Sequence, residues 1–309
     1  MIKAIDIGYT FTKDESRNIF KSAFTTTDCV ITGAHQLRVD NKIYYVGIGE
    51  ETIELDKCET EINRLCLLAD LALSKDDEFF IVTGLPINQY KQQSGKLKNF
   101  VLSQNNKVIS INNQPEKTIK INDVIVYPQG VGALYSQNIN ENVVIVDIGG
   151  RTIDVALIER INNKFQLQNS STWYEGMLVL YSKIIEIINK RFELTLEPRY
   201  SEDILLNGLK IYGQPQDINF TIPIIQEHFD KIFKELMLNY PVKTTTIYLC
   251  GGGAHILYNA FKKRFPNVQL MKEGQFANVM GFYQIAQKEF RTKDTIRRNI
   301  STWQIPKNH

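Results

Sequence analysis

Three short segments place carboxylates and glycines beside strand-like residues: Asp6-Ile7-Gly8-Tyr9-Thr10-Phe11-Thr12-Lys13, Asp147-Ile148-Gly149-Gly150-Arg151-Thr152-Ile153-Asp154 and Leu249-Cys250-Gly251-Gly252-Gly253-Ala254. The chemistry such segments suit is the holding of a phosphate chain. Backbone N–H groups reach phosphate oxygens only where no side chain intervenes, which Gly8, Gly149 and Gly150 permit. Tyr9 and Thr10 continue the first turn, and Lys13 can set a point charge against phosphate. Asp6 can supply an oxygen to hydrated magnesium, a cation that keeps several of its waters. Asp147 can orient a magnesium-bound water or accept the proton of an attacking one. Thr152 offers a hydroxyl and an N–H. Arg151 can reach phosphate or point to solvent, and Asp154 suits a structural turn equally well. Three glycines between a strand and a helix, Gly251 to Gly253, let the backbone approach a flat base and ribose beside a helix N-terminus.

Taken singly, these segments are weak signals. A strand ending in Asp-x-Gly is common in structural hairpins, and a run of three glycines is more often a flexible turn. Their order and context carry the weight. Ile2 to Ile7 alternates into a strand that delivers Asp6, and the apolar run Val143-Val144-Ile145-Val146 delivers Asp147. Thr246 to Leu249 reads as a strand and Ala254 to Arg264 as the helix beyond the third glycine segment. Further strands are expected at 18–26, 42–48, 79–82, 124–127, 152–160 and 164–170, with 103–123 a hairpin or loop excursion. Helices are expected at 63–73, 130–137, 178–192, 224–240 and 278–291. A strand ending in Asp-x-Gly near residue 6 and another near residue 147 imply two similar halves. The expected division is residues 1–146, with 283–309 returning to them, against 147–282. Small residues in Tyr127-Pro128-Gln129-Gly130-Val131-Gly132-Ala133 and in Asn278-Val279-Met280-Gly281-Phe282-Tyr283 suit hinges between the halves.

The 309 residues are enough for two ordinary domains, and a 43% apolar, 23% charged composition is that of a soluble globular protein. A net charge of +2 gives no electrostatic case for wrapping nucleic acid or coating a membrane. No stretch approaches the roughly 18 apolar residues of a membrane span, and Met1 to Thr10 does not read as a signal peptide. Cys29, Cys58, Cys66 and Cys250 show no zinc-ligand spacing and are expected to be reduced thiols in a cytoplasmic protein. The tail from Phe290 to His309 is basic and is expected to dock or to contact another protomer.

The ordered set resembles the actin-like ATPase superfamily over nearly the whole chain, and within it the ParM-type plasmid-segregation actins of bacteria. The segments that carry the likeness are DIGYTFTK, TGLPINQYK, VIVYPQGVGALY, VVIVDIGGRTID, IYLCGGGAHIL and NVMGFYQIA. The chain's length and its end soon after the last segment are similar too. The resemblance implies a two-domain actin-like α/β fold with a nucleotide cleft between the domains. It implies ATP as the ligand, with GTP open as the alternative, and Mg2+ flanked through water by Asp6 and Asp147. Gly8, Tyr9, Thr10 and Lys13 would hold phosphate from one side, and Gly149, Gly150, Arg151 and Thr152 from the other. Gly251, Gly252 and Gly253 would seat the adenosine, and Gly281 on the second connection would also bind the cofactor. The water-orienting position falls on Gln129, where ParM-type proteins often carry Glu. A glutamine aligns water without taking its proton, so either hydrolysis is slow or Asp147 acts as base, and Asp6 joins Asp147 and Gln129 as the third catalytic candidate. The segment Trp173-Tyr174-Glu175-Gly176-Met177 precedes a helix that often contacts ribose in the superfamily. Glu175 and Lys183 are candidates there, with a surface role the stronger reading.

The activity implied is ATP-dependent assembly into a filament, coupled to hydrolysis. It would move plasmid DNA indirectly, through a centromere-binding adaptor of the ParR type, with no membrane involved. Competing activities are a sugar or acetate kinase and a chaperone-type ATPase. The first would need an acceptor-activating Asp and a substrate insertion that the sequence does not display. The second would need a peptide-binding domain beyond the last segment.

Overall fold

β1 (Ile2–Ile7) runs through Ala4 and Ile5, both wholly buried, and turns at Gly8 into β2 (Phe11–Asp14). The two are antiparallel, with Ile5 opposite Asp14, Asp6 opposite Lys13 and Ile7 opposite Thr12. This computed structural model describes residues 1–27, 33–51, 58–137, 139–162 and 164–301, and the side chains of all of these but 50, 51 and 291–301. Cys29 and residues 302–309 of the basic tail lie outside the described residues.

The chain forms two units, one of residues 1–85, 92–127 and 278–309, the other of residues 86–91 and 128–277. In the first, β3 (Ile19–Lys21) continues the hairpin. The short strands β4 (Ala23–Thr25), β5 (His35–Val39), β6 (Lys42–Val46) and β7 (Glu50–Glu51) belong to a second sheet. Helix α1 (Glu61–Leu73) starts on Thr60, whose hydroxyl accepts from the Asn63 N–H at 3.3 Å. Leu65, Leu67, Leu68 and Leu71 are buried as α1 packs on β1 and on β4, β5 and β6. β8 (Glu78–Leu85) then pairs parallel with β1, and α2 (Ile87–Leu102) follows. β9 (Val108–Ile111) and β10 (Lys117–Thr118) form an antiparallel pair on the second sheet. β11 (Lys120–Pro128) closes the first sheet, in the order β11-β8-β1-β2-β3.

The second unit opens with the short helix α3 (Val131–Tyr135), then β12 (Val143–Ile148), β13 (Ile153–Ile161) and β14 (Lys164–Trp173). Helices α4 (Met177–Phe192) and α5 (Ser201–Asn207) lead to a hairpin of β15 (Leu209–Ile211) and β16 (Gln214–Gln216). The remainder is α6 (Ile222–Asn239), β17 (Thr246–Cys250), α7 (Ala254–Arg264) and β18 (Val268–Leu270). Their sheet runs β14-β13-β12-β17-β18. β12 is antiparallel to β13 and parallel to β17, as β1 is to β2 and β8. The two sheets therefore share one strand order, which is the duplication that the repeated Asp-x-Gly implied.

β12 is buried on both faces, which is why it reads as an unbroken apolar run rather than an alternation. Val144, Val146 and Ile148 pack with α4, α6 and α7 residues, while Val143 and Ile145 pack with Ala133 and Leu134 of α3. The last helix, α8 (Ala277–Ser301), returns to the first unit, where Phe282 meets Tyr127 at 6.5 Å and Phe290 meets Phe80 at 5.0 Å between ring centroids.

The division differs from the expected one at 146/147 and 282/283. Its boundaries fall at 127/128 and 277/278, with a further short crossing at 86–91. β12 belongs whole to the second unit because its ladder partners, β13 and β17, lie there. Both boundaries fall within or beside the two small-residue segments read as connections.

Candidate functional site

In the first unit the β1–β2 turn is held by the Gly8 N–H donating to the Phe11 carbonyl at 2.9 Å. A Cβ on Gly8 would stand 2.7 Å from that oxygen, closer than real Cβ atoms come, so the turn requires glycine. Asp6 and Lys13 face each other across the ladder and share one face of the sheet. Asp6 and Tyr9 are buried and Lys13 is half-buried. Thr10 stands at the tip, and its Oγ1 is buried with no hydrogen-bond partner. A buried hydroxyl left unpaired costs about 1–3 kcal/mol, which a ligand oxygen arriving at the turn would recover.

The second unit repeats the device. The Gly149 N–H donates to the Thr152 carbonyl at 2.9 Å, and a Cβ on Gly149 would sit 3.0 Å from that oxygen. Asp147 is opposite Asp154 on β13 and beside Cys250 on β17. Asp154 is buried, and its carboxylate accepts from the hydroxyls of Thr152 at 3.2 Å and Thr172 at 2.5 Å. It therefore positions Thr152. Arg151 is half-buried.

The carbonyls of this loop are spent on the start of α4. The N–H groups of Gly176, Met177 and Leu178 donate to the carbonyls of Arg151, Gly149 and Gly150 at 3.1, 3.0 and 2.8 Å. The N-terminus of α4 is thus satisfied by the loop itself. A Cβ on Gly176 would lie 2.4 Å from the Gly150 oxygen, so this glycine lets the helix seat against the loop. The need for Gly176 is a tertiary contact, which leaves no mark in the local sequence.

The glycine triplet joins the same unit. The Gly251 N–H donates to the Gly274 carbonyl and the Gly253 N–H to the Ile148 carbonyl, both at 2.9 Å. Gly251 has φ +85°, and a Cβ there would stand 2.4 Å from Asp147 Oδ1. A Cβ on Gly253 would meet Met177 Cγ at 2.3 Å, whereas one on Gly252 would meet nothing within 4 Å. The triplet thus divides its labour. Gly251 and Gly253 are required by the protein's own packing, and only Gly252 borders open space. α7 begins on Gly253 without a side-chain cap, which leaves first-turn amides suited to an anion.

The second unit therefore brings Asp147, Gly149, Gly150, Arg151, Thr152 and Gly251 to Gly253 together around the ends of β12 and β17. Asp6, Gly8, Tyr9, Thr10 and Lys13 form one hairpin of the first. Gln129 is buried just before α3, next to Gly130 at φ +77°. Gly281 is buried within α8 in the first unit. Glu175 is not a simple surface residue. It lies 3.6 Å from Lys231 Nζ and 4.0 Å from His228 Nδ1, while Lys183 pairs with Glu227 at 3.7 Å. Burial lowers the His228 pKa below its ordinary value, with Glu175 opposing, and the imidazole is neutral near pH 7. Cys58, Cys66 and Cys250 are buried thiols. Among the described residues no helix is long and apolar enough to cross a membrane.

Two family models match this chain: the N-terminal domain of actin like proteins over residues 4–132, and the C-terminal domain of an archaeal actin homologue, MreB-like, over residues 145–263. Together they span most of the sequence, and the chain belongs to the actin-like proteins. No curated protein sequence matches it. Among solved structures it is similar to an archaeal actin homologue, Ta0583, in complex with ADP, at 21% identity and a TM-score of 0.80, covering 93% of this chain and 99% of that one. It is similar also to a 15-stranded ParM filament from Clostridium botulinum, at 20% identity, TM-score 0.74 and coverage of 93% and 99%. The actin-like protein Alp7A aligns at 16% identity and TM-score 0.76, over 97% of this chain and 100% of its own. These likenesses bear out the expected two-domain actin-like α/β fold.

Proposed function

We propose that this protein is a filament-forming ATPase of the ParM type, which assembles on binding ATP and disassembles after hydrolysing it. The observation that carries the reading is the matched pair of Asp-x-Gly hairpins, each closed by the same glycine N–H-to-carbonyl bond. Support for a phosphate ligand comes from the orphaned Thr10 hydroxyl at one hairpin, and from the open side of Gly252 beside the uncapped start of α7 at the other.

In this reading Gly8, Tyr9, Thr10 and Lys13 hold phosphate, as do Gly149, Gly150, Arg151 and Thr152, and Gly251 to Gly253 border the nucleoside. Asp6 and Asp147 offer oxygen, the donor type magnesium prefers, and would hold the ion there. Magnesium, when bound, neutralises phosphate charge. Gln129 aligns the attacking water without accepting its proton, and Asp147 is the base. The terminal phosphate supplies contacts that hydrolysis removes, so the assembling state is favoured only while it is present. ATP is the proposed nucleotide, with GTP the alternative. The work proposed is the separation of plasmid copies in the bacterial cytoplasm, through a DNA-binding adaptor of the ParR type.

The test is right-angle light scattering with electron micrographs, before and after magnesium–ATP is added to purified protein. A rise with filaments, decaying as phosphate appears, supports the reading. Phosphate release without any rise across protein concentrations and nucleotides overturns it, and points to a kinase or chaperone-like activity.

A further inference from the structure

The β15–β16 hairpin turns through Tyr212 and Gly213 at φ +49° and +79°. Turns of this kind favour Asn-Gly, because both central residues need positive φ. A bulky side chain there is a steric outlier. Among the described residues Tyr212 is the one aromatic residue at positive φ, and it is 102% exposed. Lys210, beside it on β15, is exposed as well. Among the described residues nothing accounts for a tyrosine at this tip.

The first unit carries a surface of complementary character. A cleft of about 210 Å³ opens on its second sheet, lined by Gln36, Arg38, Ile43, Asn113 and Glu116 among others. Arg38, Asn113 and Glu116 are exposed, and Ile43 is 39% exposed. A guanidinium and an isoleucine suit a phenol ring, the first by cation–π attraction and the second by apolar contact. Glu116 has the charge to meet Lys210. Among the described residues, Arg38, Glu116, Lys210 and Tyr212 have no side-chain ion pair, hydrogen bond or ring partner.

We propose that the Tyr212 hairpin of one copy docks into the Arg38–Glu116 cleft of a second copy of this chain. Tyr212 is the anchor, Arg38 stacks on it, and Lys210 pairs with Glu116. The two surfaces are different, so the contact is head-to-tail and repeats from copy to copy unless its rotation closes a ring. This inference rests on the filament reading and gives it a specific interface. Tyr and Arg are the residue types that most often dominate such contacts.

The experiment measures the critical concentration for pelleting with magnesium–ATP for the full chain and four variants: Tyr212→Asn, Lys210→Glu, Glu116→Lys, and the swapped double variant Lys210→Glu/Glu116→Lys. Asn tolerates positive φ, so Tyr212→Asn should match or exceed the parent's melting temperature and bind nucleotide as tightly. Its critical concentration should rise ~10-fold or more, the loss of one interface anchor. Each single charge reversal should also raise it, and the swap should bring it back towards the parent value. If the parent assembles and Tyr212→Asn assembles equally well, or if the swap recovers nothing, the interface is wrong while the filament reading stands. If the parent never assembles with any nucleotide, both fall together.

Discussion

Gly251 illustrates how one residue can be written into a site twice. Its φ of +85° lies where side chains are disfavoured, and the space a Cβ would occupy is already held by Asp147 Oδ1 and the Ile148 carbonyl. Gly251→Ala should therefore cost about 1–3 kcal/mol, the range for forced backbone strain. Urea denaturation of the nucleotide-free protein is the check. Gly252→Ala, with nothing within 4 Å of the new methyl, should leave that midpoint nearly unchanged. Thr10 makes the opposite case, a residue whose hydroxyl the unliganded fold does not use. Thr10→Val keeps the shape and removes the orphan. The free protein should be as stable or slightly more so. Nucleotide affinity should fall ~10-fold or more, as expected for losing one hydrogen bond to a charged oxygen. Calorimetric titration and thermal melting of the same variant separate the two effects.

The β1–β2 hairpin is anchored from beneath by a charge cluster sealed from water. Lys3 Nζ lies 2.6 Å from Asp14, 3.2 Å from Asp70 and 3.6 Å from Glu15. Asp14 also accepts from the Asn18 backbone and side chain at 2.8 and 2.7 Å. Among the described residues neither Asp70 oxygen has an aligned hydrogen-bond partner. One ammonium cannot balance three buried carboxylates. Burial pushes Asp70 up to about 8 against the pull of Lys3, and burial raises Glu15 in the same direction. Burial alone would lower Lys3, but Asp70, Glu15 and Asp14 outweigh it and hold Lys3 above its ordinary value. Asp70 keeps its proton to about pH 8 when folded and loses it near 3.8 when unfolded. Its contribution to stability is therefore complete below about pH 4 and is lost as pH rises to about 8. The slope per proton is at most ~1.4 kcal/mol per pH unit. Asp70→Asn mimics the protonated form, so denaturation midpoints at pH 5, 7 and 9 should fall less steeply than the parent's. An unchanged slope would show that Asp70 ionises normally.

Across the molecule the two sheets repeat one strand order, and the catalytic proposal concentrates on the end of β12. Asp147→Ala should lower phosphate release by ~10²–10⁴, the usual cost of a positioned base. Assembly with ATP should persist, since the variant keeps the glycine turns that hold phosphate. Phosphate release at the parent rate would remove Asp147 from the catalytic role.

β1 and α7 were legible to the residue, at Ile2–Ile7 and Ala254–Arg264, because alternation and helical spacing are local properties of the chain. The nucleotide segments were legible for a related reason: glycine and carboxylate at a strand end are themselves the chemistry. β5 and the β15–β16 hairpin were not seen. They are short and mixed in polarity, and β5 exists through pairing with β6 and with β9, far along the chain. The placement of β12 has no local signal, because an apolar run is the same in either unit, and only its ladder to β13 and β17 assigns it. Gly176 carried no readable signal, since its need arises where α4 meets the carbonyls of a loop formed elsewhere in the sequence. Which residues can approach phosphate was determined by composition and spacing along the chain. Which glycines the protein requires for its own packing, and which one it leaves open, was decided by contacts that exist only once distant segments have met.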